Sequence, residues 1–266
     1  MKKQLTIIAI VLMSFISTWA QNNDIAVPLT DPSKRGKLIV DIHYGSITVK
    51  GSPRKDILVK YSQEAGEEEK EKKTRDGLKR IGGGSLDLEV TENKNEVKVE
   101  SSSWSQKLNL TIEVPSGFDL NLSTYNDGDV SVNSIQGGVE ISDYNGSIFA
   151  ENISGSLLAD SYNGEIKATF DKVTEGTPMS FSTYNGTIDL TFPATLKATL
   201  KMKTEQGEVL SGFDMNVVKN GPVQKKDVKA GVYKVVVDEW VKGEVNGGGS
   251  EFTIKNYNGD IIIRKK

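Results

Sequence analysis

GDVSVNSIQGGVEISDYNGSIFAENISGSLLADSYNGEIKATF (128–170) is the stretch of sequence that decides the fold. A glycine recurs in it every nine residues, at positions 128, 137, 146, 155 and 164. Apolar side chains follow two and four residues after each glycine, as Val130 and Val132 do after the first. Because side chains on a strand alternate with a period of two, both positions share one face. The pattern predicts one short strand in every nine residues.

The true period of this stretch is eighteen residues. Seven residues after the glycines, isoleucine and tyrosine alternate, giving Ile135, Tyr144, Ile153 and Tyr162. Two short strands and two corners per eighteen residues predict a β-solenoid, in which each strand pairs with its copies in the coils above and below. An antiparallel sandwich of hairpins also produces short, regularly spaced strands. It gives no reason, however, for one residue type to recur at the same corner.

A Tyr-Asn-Gly triplet marks the more visible corner and returns outside the regular stretch. We predict that these residues are the structural corners of the repeat: Tyr125, Tyr144, Asn145, Gly146, Tyr162, Asn163, Gly164, Tyr184, Asn185, Gly186, Tyr257, Asn258 and Gly259. In this interpretation the tyrosine faces inward, the asparagine forms an amide ladder and the glycine takes a positive φ. The alternative is a row of exposed aromatic rings that binds sugar rings.

The chain divides into one large all-β domain and a short N-terminal region. We assign 21–36 to a linker and 37–266 to a single β-solenoid domain whose N-terminal part is less regular. A charged insertion at 63–85 and a long loop at 213–231 interrupt the strand pattern, and further insertion at 171–178 lengthens one repeat. The basic end Arg264–Lys266 follows three isoleucines, which suggests charge that protects an exposed strand edge.

The first twenty residues predict a signal peptide. Lys2 and Lys3 precede the apolar run Leu5–Ser17, and small residues at Thr18 and Ala20 suit cleavage after Ala20. An uncleaved anchor is the alternative. The remainder contains no apolar run of 18 residues, so we expect no membrane-spanning segment in the mature chain. The chain also has no cysteine, which excludes disulfides and a lipidated cysteine. These features predict export to the periplasm, the outer surface or the medium.

The charge of the chain argues against nucleic acid as a partner. The formal net charge is −3, and removal of Lys2 and Lys3 makes the mature chain more acidic by two charges. Charges of both signs are mixed along the sequence, without a basic block that could neutralise phosphates.

The stretch LTIEVPSGFDLNLSTYNDGDVSV (110–132) resembles the bacterial β-solenoid families named "putative adhesins", which are domains of unknown function related to the head-GIN domains. The segments 186–209 and 247–266 follow the same pattern, so the resemblance covers most of 37–266. The charged insertion at 63–85 and the segment at 213–231 depart from it. The resemblance implies a Gram-negative cell envelope and an adhesin-like function.

Few residues offer catalytic or metal-binding chemistry. His43 is the only histidine, and Asp41 shares its strand face, so an acid–base dyad is conceivable although the sequence supplies no nucleophile nearby. Asp127, Asp129 and Asp143 carry the oxygen ligands that calcium prefers, but asparagines take the equivalent slot in the other repeats. We therefore expect no metal and no cofactor.

Three functions are compatible with these features. The first is a non-enzymatic adhesin-like protein of the envelope that binds a glycan or a protein through a solenoid face or an inserted loop. The second is a structural or regulatory envelope component with one protein partner. The third is a calcium-dependent polysaccharide lyase, which the absence of an aspartate cluster beside an arginine disfavours.

Overall fold

The structure is a computed structural model that describes residues 23–65, 74–75, 78–79, 87–219, 223–229, 232–238 and 240–266. The predicted signal peptide and its cleavage site after Ala20 lie outside these residues, as does most of the charged insertion at 63–85. The described residues contain strands and connections and no helix, which agrees with the all-β prediction. None of them forms a helix with the length and apolar character needed to cross a membrane.

The described strands, in chain order, are β1 (Asp24–Pro28), β2 (Lys37–Tyr44), β3 (Ile47–Ser52), β4 (Asp56–Ala65), β5 (Thr74–Arg75), β6 (Leu78–Lys79), β7 (Leu88–Asn93), β8 (Glu96–Ser101), β9 (Gln106–Pro115), β10 (Asp119–Asn126), β11 (Val130–Asn133), β12 (Val139–Asp143), β13 (Ile148–Ile153), β14 (Leu157–Asn163), β15 (Ile166–Phe170), β16 (Met179–Asn185), β17 (Ile188–Phe192), β18 (Ala198–Lys203), β19 (Val209–Ser211), β20 (Met215–Lys219), β21 (Val223–Lys229), β22 (Val232–Asp238), β23 (Val241–Val245), β24 (Ser250–Asn258) and β25 (Ile261–Lys265).

Two large sheets hold most of these strands. The first sheet runs β1-β4-β9-β3-β11-β13-β15-β17-β25-β19, and the second runs β20-β23-β18-β24-β16-β14-β12-β10-β2-β8-β7. Strands β5 and β6 form a separate small sheet, and so do β21 and β22. From β10 to β17 the chain alternates strictly between the two large sheets.

The eighteen-residue period sets the register of the parallel strands. In the first sheet Val130 pairs with Ile148, which pairs with Ile166, and each step advances the chain by eighteen residues. In the second sheet Val139 pairs with Leu157 at the same interval. The next step in the first sheet, from Ile166 to Ile188, is longer because it spans the inserted loop at 171–178.

The stack of strand pairs does not follow chain order at either end. Strands β2 and β3 lie between the pair β8/β9 and the pair β10/β11. At the other end β24 and β25 lie between the pair β16/β17 and the pair β18/β19. Eight parallel strands are thus continuous in each sheet, and antiparallel strands extend the sheets beyond them.

The C-terminal strand is internal, which corrects the prediction of an exposed edge. Strand β25 has β17 on one side and β19 on the other. Arg264 donates two hydrogen bonds to the Asp189 carboxylate, at 2.8 and 3.0 Å, and the Nζ of Lys266 lies 2.7 Å from an Asp171 oxygen. The basic end therefore pairs with carboxylates of neighbouring strands and loops.

Two further boundaries differ from the sequence prediction. The predicted linker at 21–36 contains β1, which pairs antiparallel with β4 and buries Val27. The predicted long loop at 213–231 contains β20, which pairs with β23, and β21, which pairs with β22. Strands β1 and β20 find partners about 25 to 35 residues away in the sequence, whereas β21 and β22 are neighbours in the sequence and form a hairpin.

The core consists of the inward side chains of both sheets. They form one cluster, in which Val130, Ile148 and Ile166 of the first sheet are fully buried, as is Leu157 of the second. The predicted pattern of apolar positions two and four residues after each glycine therefore identifies the buried face correctly.

Candidate functional site

The five repeated tyrosines form a continuous stack that crosses the second sheet along the carboxyl ends of its strands. In-register parallel pairing places Tyr125, Tyr144, Tyr162, Tyr184 and Tyr257 one above the next. Consecutive ring centroids are 4.7, 4.9, 5.0 and 4.6 Å apart, and the ring planes differ by only 3° to 7°. The distance between ring centroids matches the distance between neighbouring strands, because each ring belongs to a different strand.

The tyrosines point outward, so the prediction of an inward-facing corner is wrong. Their side chains are 38–45% exposed, whereas Ile135 and Ile153, at the alternate corner, are fully buried. The reason is the alternation of side chains along a strand. Asp143 and Ser161 take the inward position, which turns the tyrosine that follows each of them toward solvent. The two corners of the repeat are therefore not equivalent.

The stacking also limits what the tyrosines can bind. Each interior ring has both faces covered by its neighbours, since the planes are nearly parallel and less than 5.1 Å apart. A sugar ring cannot lie flat on a face that is already covered. The row therefore presents ring edges and phenol hydroxyls to a partner, and both are suited to packing and hydrogen bonding at a protein surface.

Trp104 extends this row, although sequence reasoning did not single it out. It is the most exposed large hydrophobic residue in the described part of the chain, at 60%. Its ring stacks on His43 at 4.4 Å and meets the edge of Tyr125 at 5.5 Å. The only signal was a tryptophan in the polar turn SSSWS (101–105). We call Trp104 and the five tyrosines the aromatic ladder.

His43 packs against one end of the aromatic ladder. Its ring packs against Trp104, and its buried Nδ1 has no hydrogen-bond partner among the described residues. His43, Asp41 and Tyr144 line the same cavity, of about 450 Å³, on the outer face of the second sheet. The described contacts include no hydrogen bond between His43 and Asp41 that would make them an acid–base dyad.

The asparagines of the triplets form a second row beside the ladder. Asn145 donates to Asn126 at 3.3 Å, Asn163 to Asn145 at 2.8 Å, and Asn185 to Asn163 at 2.8 Å. Asn258 continues the row by donating to Asn185 at 2.7 Å. The three inner amides each donate to one neighbouring repeat and accept from the other, which ties the repeats together beside the ladder.

The glycines of the triplets are required by close contact between neighbouring repeats. A Cβ on Gly146 would lie 2.2 Å from the carbonyl oxygen of Gly128, and one on Gly164 would lie 2.0 Å from that of Gly146. Gly186 and Gly259 do have a positive φ, whereas Gly146 and Gly164 do not. The expectation of a positive φ at Gly146 is therefore wrong, and the backbone of the preceding repeat supplies the constraint.

A row of buried hydrogen-bond donors lies directly inside the ladder. Side chains from successive coils donate to the carbonyl oxygen of a glycine in the neighbouring coil: Thr124 to Gly45 at 2.9 Å, Ser161 to Gly146 at 3.1 Å, Thr183 to Gly164 at 2.9 Å, Asn256 to Gly186 at 2.6 Å and Thr204 to Gly259 at 2.9 Å. A hydroxyl or an amide at this position thus satisfies a carbonyl that would otherwise be unpaired.

Asp143 is the exception in the donor row. It is 2% exposed, and neither carboxylate oxygen makes a hydrogen bond of ordinary geometry in the described structure. Burial raises its pKa to about 7, the charge of Asp129 adds to the increase, and the backbone N–H of Asn145 opposes it. A carboxylate cannot donate, whereas a protonated carboxyl can. Asp143 therefore fits this row in its neutral form.

The aspartates considered for calcium do not form a cage. Asp127 lies 3.1 Å from the Nζ of Lys107, Asp129 accepts from the backbone N–H of Ser147 at 2.8 Å, and Asp143 is buried. Asn126, and not Asp127, occupies the asparagine row. Across the described residues, no group of three or more His, Cys, Asp or Glu side chains is arranged to hold a metal ion.

The inserted loop at 171–178 borders a second cavity. It has a volume of about 600 Å³, and its lining includes Lys172, Glu175, Leu196, Lys197 and Phe252. Its charged residues come from loops, and its apolar floor belongs to the core. It lacks the repeated, strand-fixed geometry of the ladder.

Comparison with known proteins assigns neither a family nor a function to the chain. No protein-family model matches the chain, and none of the curated proteins does. A crystal structure of a "putative cell adhesion protein" from Clostridium sporogenes is similar over 92% of this chain and 100% of its own, with 13% identity and a TM-score of 0.42. A "putative adhesin" from Bacteroides fragilis is similar over 91% and 96%, with 10% identity and a TM-score of 0.35. Similarity at this level carries no argument about function.

Proposed function

We propose that the chain is an exported, non-enzymatic, adhesin-like protein of the bacterial cell envelope that binds a partner through the outer face of its second sheet. One observation carries the proposal. Exposed large hydrophobic residues are concentrated on this face: Trp104, Tyr125, Tyr144, Leu158, Tyr162, Tyr184 and Tyr257. Elsewhere in the described residues only Leu210 and Val217 are of this kind. An exposed patch rich in tyrosine and tryptophan is characteristic of an interaction surface.

The scaffold that presents this face is a flattened two-sheet β-solenoid. Eight strand pairs support this interpretation, because each pair contributes one strand to each sheet and pairs in parallel with the coils above and below. The glycine contacts and the asparagine row repeat with the coils. A rigid scaffold of this kind holds the ladder in place before a partner arrives, which lowers the entropic cost of binding.

A protein is the partner that the ladder favours over a glycan. The covered ring faces cannot stack on sugars, while the exposed edges and hydroxyls can contact side chains and backbone. Export is part of the same proposal and rests on the N-terminal sequence. N-terminal sequencing of the protein from fractionated cells tests it, with Gln21 expected as the first residue and an intact Met1 contradicting it.

Photo-crosslinking tests the binding face. We expect benzoylphenylalanine at position 162, in the ladder, to form adducts with an envelope protein in intact cells. The matched control is the same group at position 149, because Phe149 is half-buried and lies on the outer face of the first sheet. Adducts at both positions, or at the control alone, would contradict the proposal, as would their absence at every ladder position.

A further inference from the structure

The row of outward residues next to the ladder changes charge from one end of the second sheet to the other. Pairing of the eight parallel strands fixes its order as Glu100, Asp41, Ser123, Ser142, Asp160, Ser182, Lys255 and Lys203. Carboxylates therefore stand at the end formed by β8 and β2, three serines and Asp160 lie in the middle, and lysines stand at the end formed by β24 and β18.

The charges that matter most in this row are available to a partner. Glu100, Asp41 and Lys255 are exposed, and no described residue forms an ion pair with any of them. Lys203 is less free, since its Nζ lies 2.7 Å from Glu205. An acidic end and a basic end on one face complement a second copy that is turned end for end.

The order of the row has the symmetry that a two-fold axis requires. Consider a two-fold axis that lies in the interface and runs parallel to the strands. The second copy then has the opposite strand order, while each row of side chains across the sheet faces the same row of the other copy. The second position from one end, Asp41, then faces Lys255 of the other copy, which is the second position from the other end. Ser123 faces Ser182 in the same way, and the two ladders meet along their length.

The shape and size of the face suit such a contact. Neighbouring strands in a sheet usually rotate by about 20°, whereas the ladder rings rotate by 7° or less per strand. The tyrosine part of the ladder is therefore nearly straight. The face is eight strands wide, at about 4.8 Å per strand, and about six residues long, at about 3.3 Å per residue. Its area is therefore roughly 750 Å². A stable interface takes about 800 Å² from each partner.

We propose that two copies of this chain associate through the ladder face, with their strand stacks antiparallel and Asp41 of each copy opposite Lys255 of the other. This names a second copy as the partner and rests on the proposed function, because it uses the same face. The tyrosine edges supply the apolar contact, and the charged ends fix the orientation.

Charge reversal tests the arrangement in the purified mature chain by sedimentation at several protein concentrations. We expect a dimer, and we expect Asp41→Lys and Lys255→Asp each to weaken it roughly ten- to thirtyfold, since each reversal places like charges at two symmetric contacts. The double variant restores the opposite charges and is expected to dimerise like the natural chain. High salt should reduce the differences between variants.

Lys50→Asp is the matched control, because Lys50 is an exposed lysine on the outer face of the first sheet. It is expected to leave the dimer unchanged. A chain that is monomeric at all concentrations, a double variant no better than the singles, or an equal effect of Lys50→Asp would overturn the dimer. If the chain is monomeric and position 162 still crosslinks to another protein, the dimer is wrong and the proposed function stands. If the chain is monomeric and no ladder position forms an adduct, both are wrong.

Discussion

Replacing Gly146 with alanine is expected to lower the free energy of unfolding by about 3 kcal/mol or more. The added Cβ would lie 2.2 Å from the Gly128 carbonyl oxygen and 2.6 Å from an Asp143 carboxylate oxygen. The first obstacle is backbone, so no side-chain rotation can relieve the contact. The coils must move apart, which weakens the hydrogen bonds on both sides. Urea denaturation measures the loss.

Gly117→Ala is the control for this prediction. Apart from its two neighbours in the chain, no residue has an atom within 4 Å of the Cβ that it would add, and its φ is not positive. It should change the free energy of unfolding by less than about 0.5 kcal/mol. Equal effects of the two substitutions would mean that the coils do not approach each other at Gly146 as described.

Asp143→Asn is expected to stabilise the protein above pH 7 and to remove a large part of its pH dependence. The folded state raises the pKa of Asp143 from 3.8 to about 7. Between these values the folded chain holds a proton that the unfolded chain has lost. The stabilisation that Asp143 contributes is therefore at its maximum below about pH 4. It decreases as the pH rises toward 7, and above pH 7 the free energy of unfolding no longer changes through this group. The difference between the two pKa values corresponds to roughly 4 kcal/mol.

Asparagine carries no charge and can donate, as Asn256 does to the Gly186 carbonyl. The natural chain and the variant should therefore differ little at pH 4 and by several kcal/mol at pH 8. Asp160→Asn, an exposed aspartate on the next strand of the sheet, should show no such divergence. Parallel stability curves for the natural chain and Asp143→Asn would show that Asp143 stays ionised in the folded state.

The regular part of the fold was predictable because its signal is local. Val130, Ile148 and Ile166 recur at the coil period, and each is buried at the predicted position. Strand order at the two ends was not predictable, because a periodic sequence does not say where in the stack a repeat will lie. The last repeat has the same Tyr-Asn-Gly triplet as the others, yet it inserts between β16/β17 and β18/β19.

The five tyrosines of the ladder were identified from the sequence, whereas Trp104 and the outward orientation of the tyrosines were not. The alternation of Ile135 with Tyr144 suggested equivalent corners, and the buried polar residue before each tyrosine reversed that conclusion. Asp143 and Ser161 look like surface residues in a sequence, since polar side chains are usually exposed. Only the glycine carbonyl that Ser161 meets in the preceding repeat explains why this position is buried and polar.

The out-of-order insertion of the last repeat is the claim on which the continuous ladder depends, and engineered cysteines test it most directly. The chain has no cysteine of its own, so a designed pair has no competitor. Asp189 of β17 and Ile262 of β25 are direct neighbours, whereas β25 separates Asp189 from Leu210 of β19. A disulfide needs Cα atoms about 4.4–6.8 Å apart, which adjacent strands provide and strands two apart do not. We predict that Asp189→Cys with Ile262→Cys forms a disulfide, while Asp189→Cys with Leu210→Cys stays reduced. The opposite result would place the repeats in chain order and contradict the out-of-order insertion.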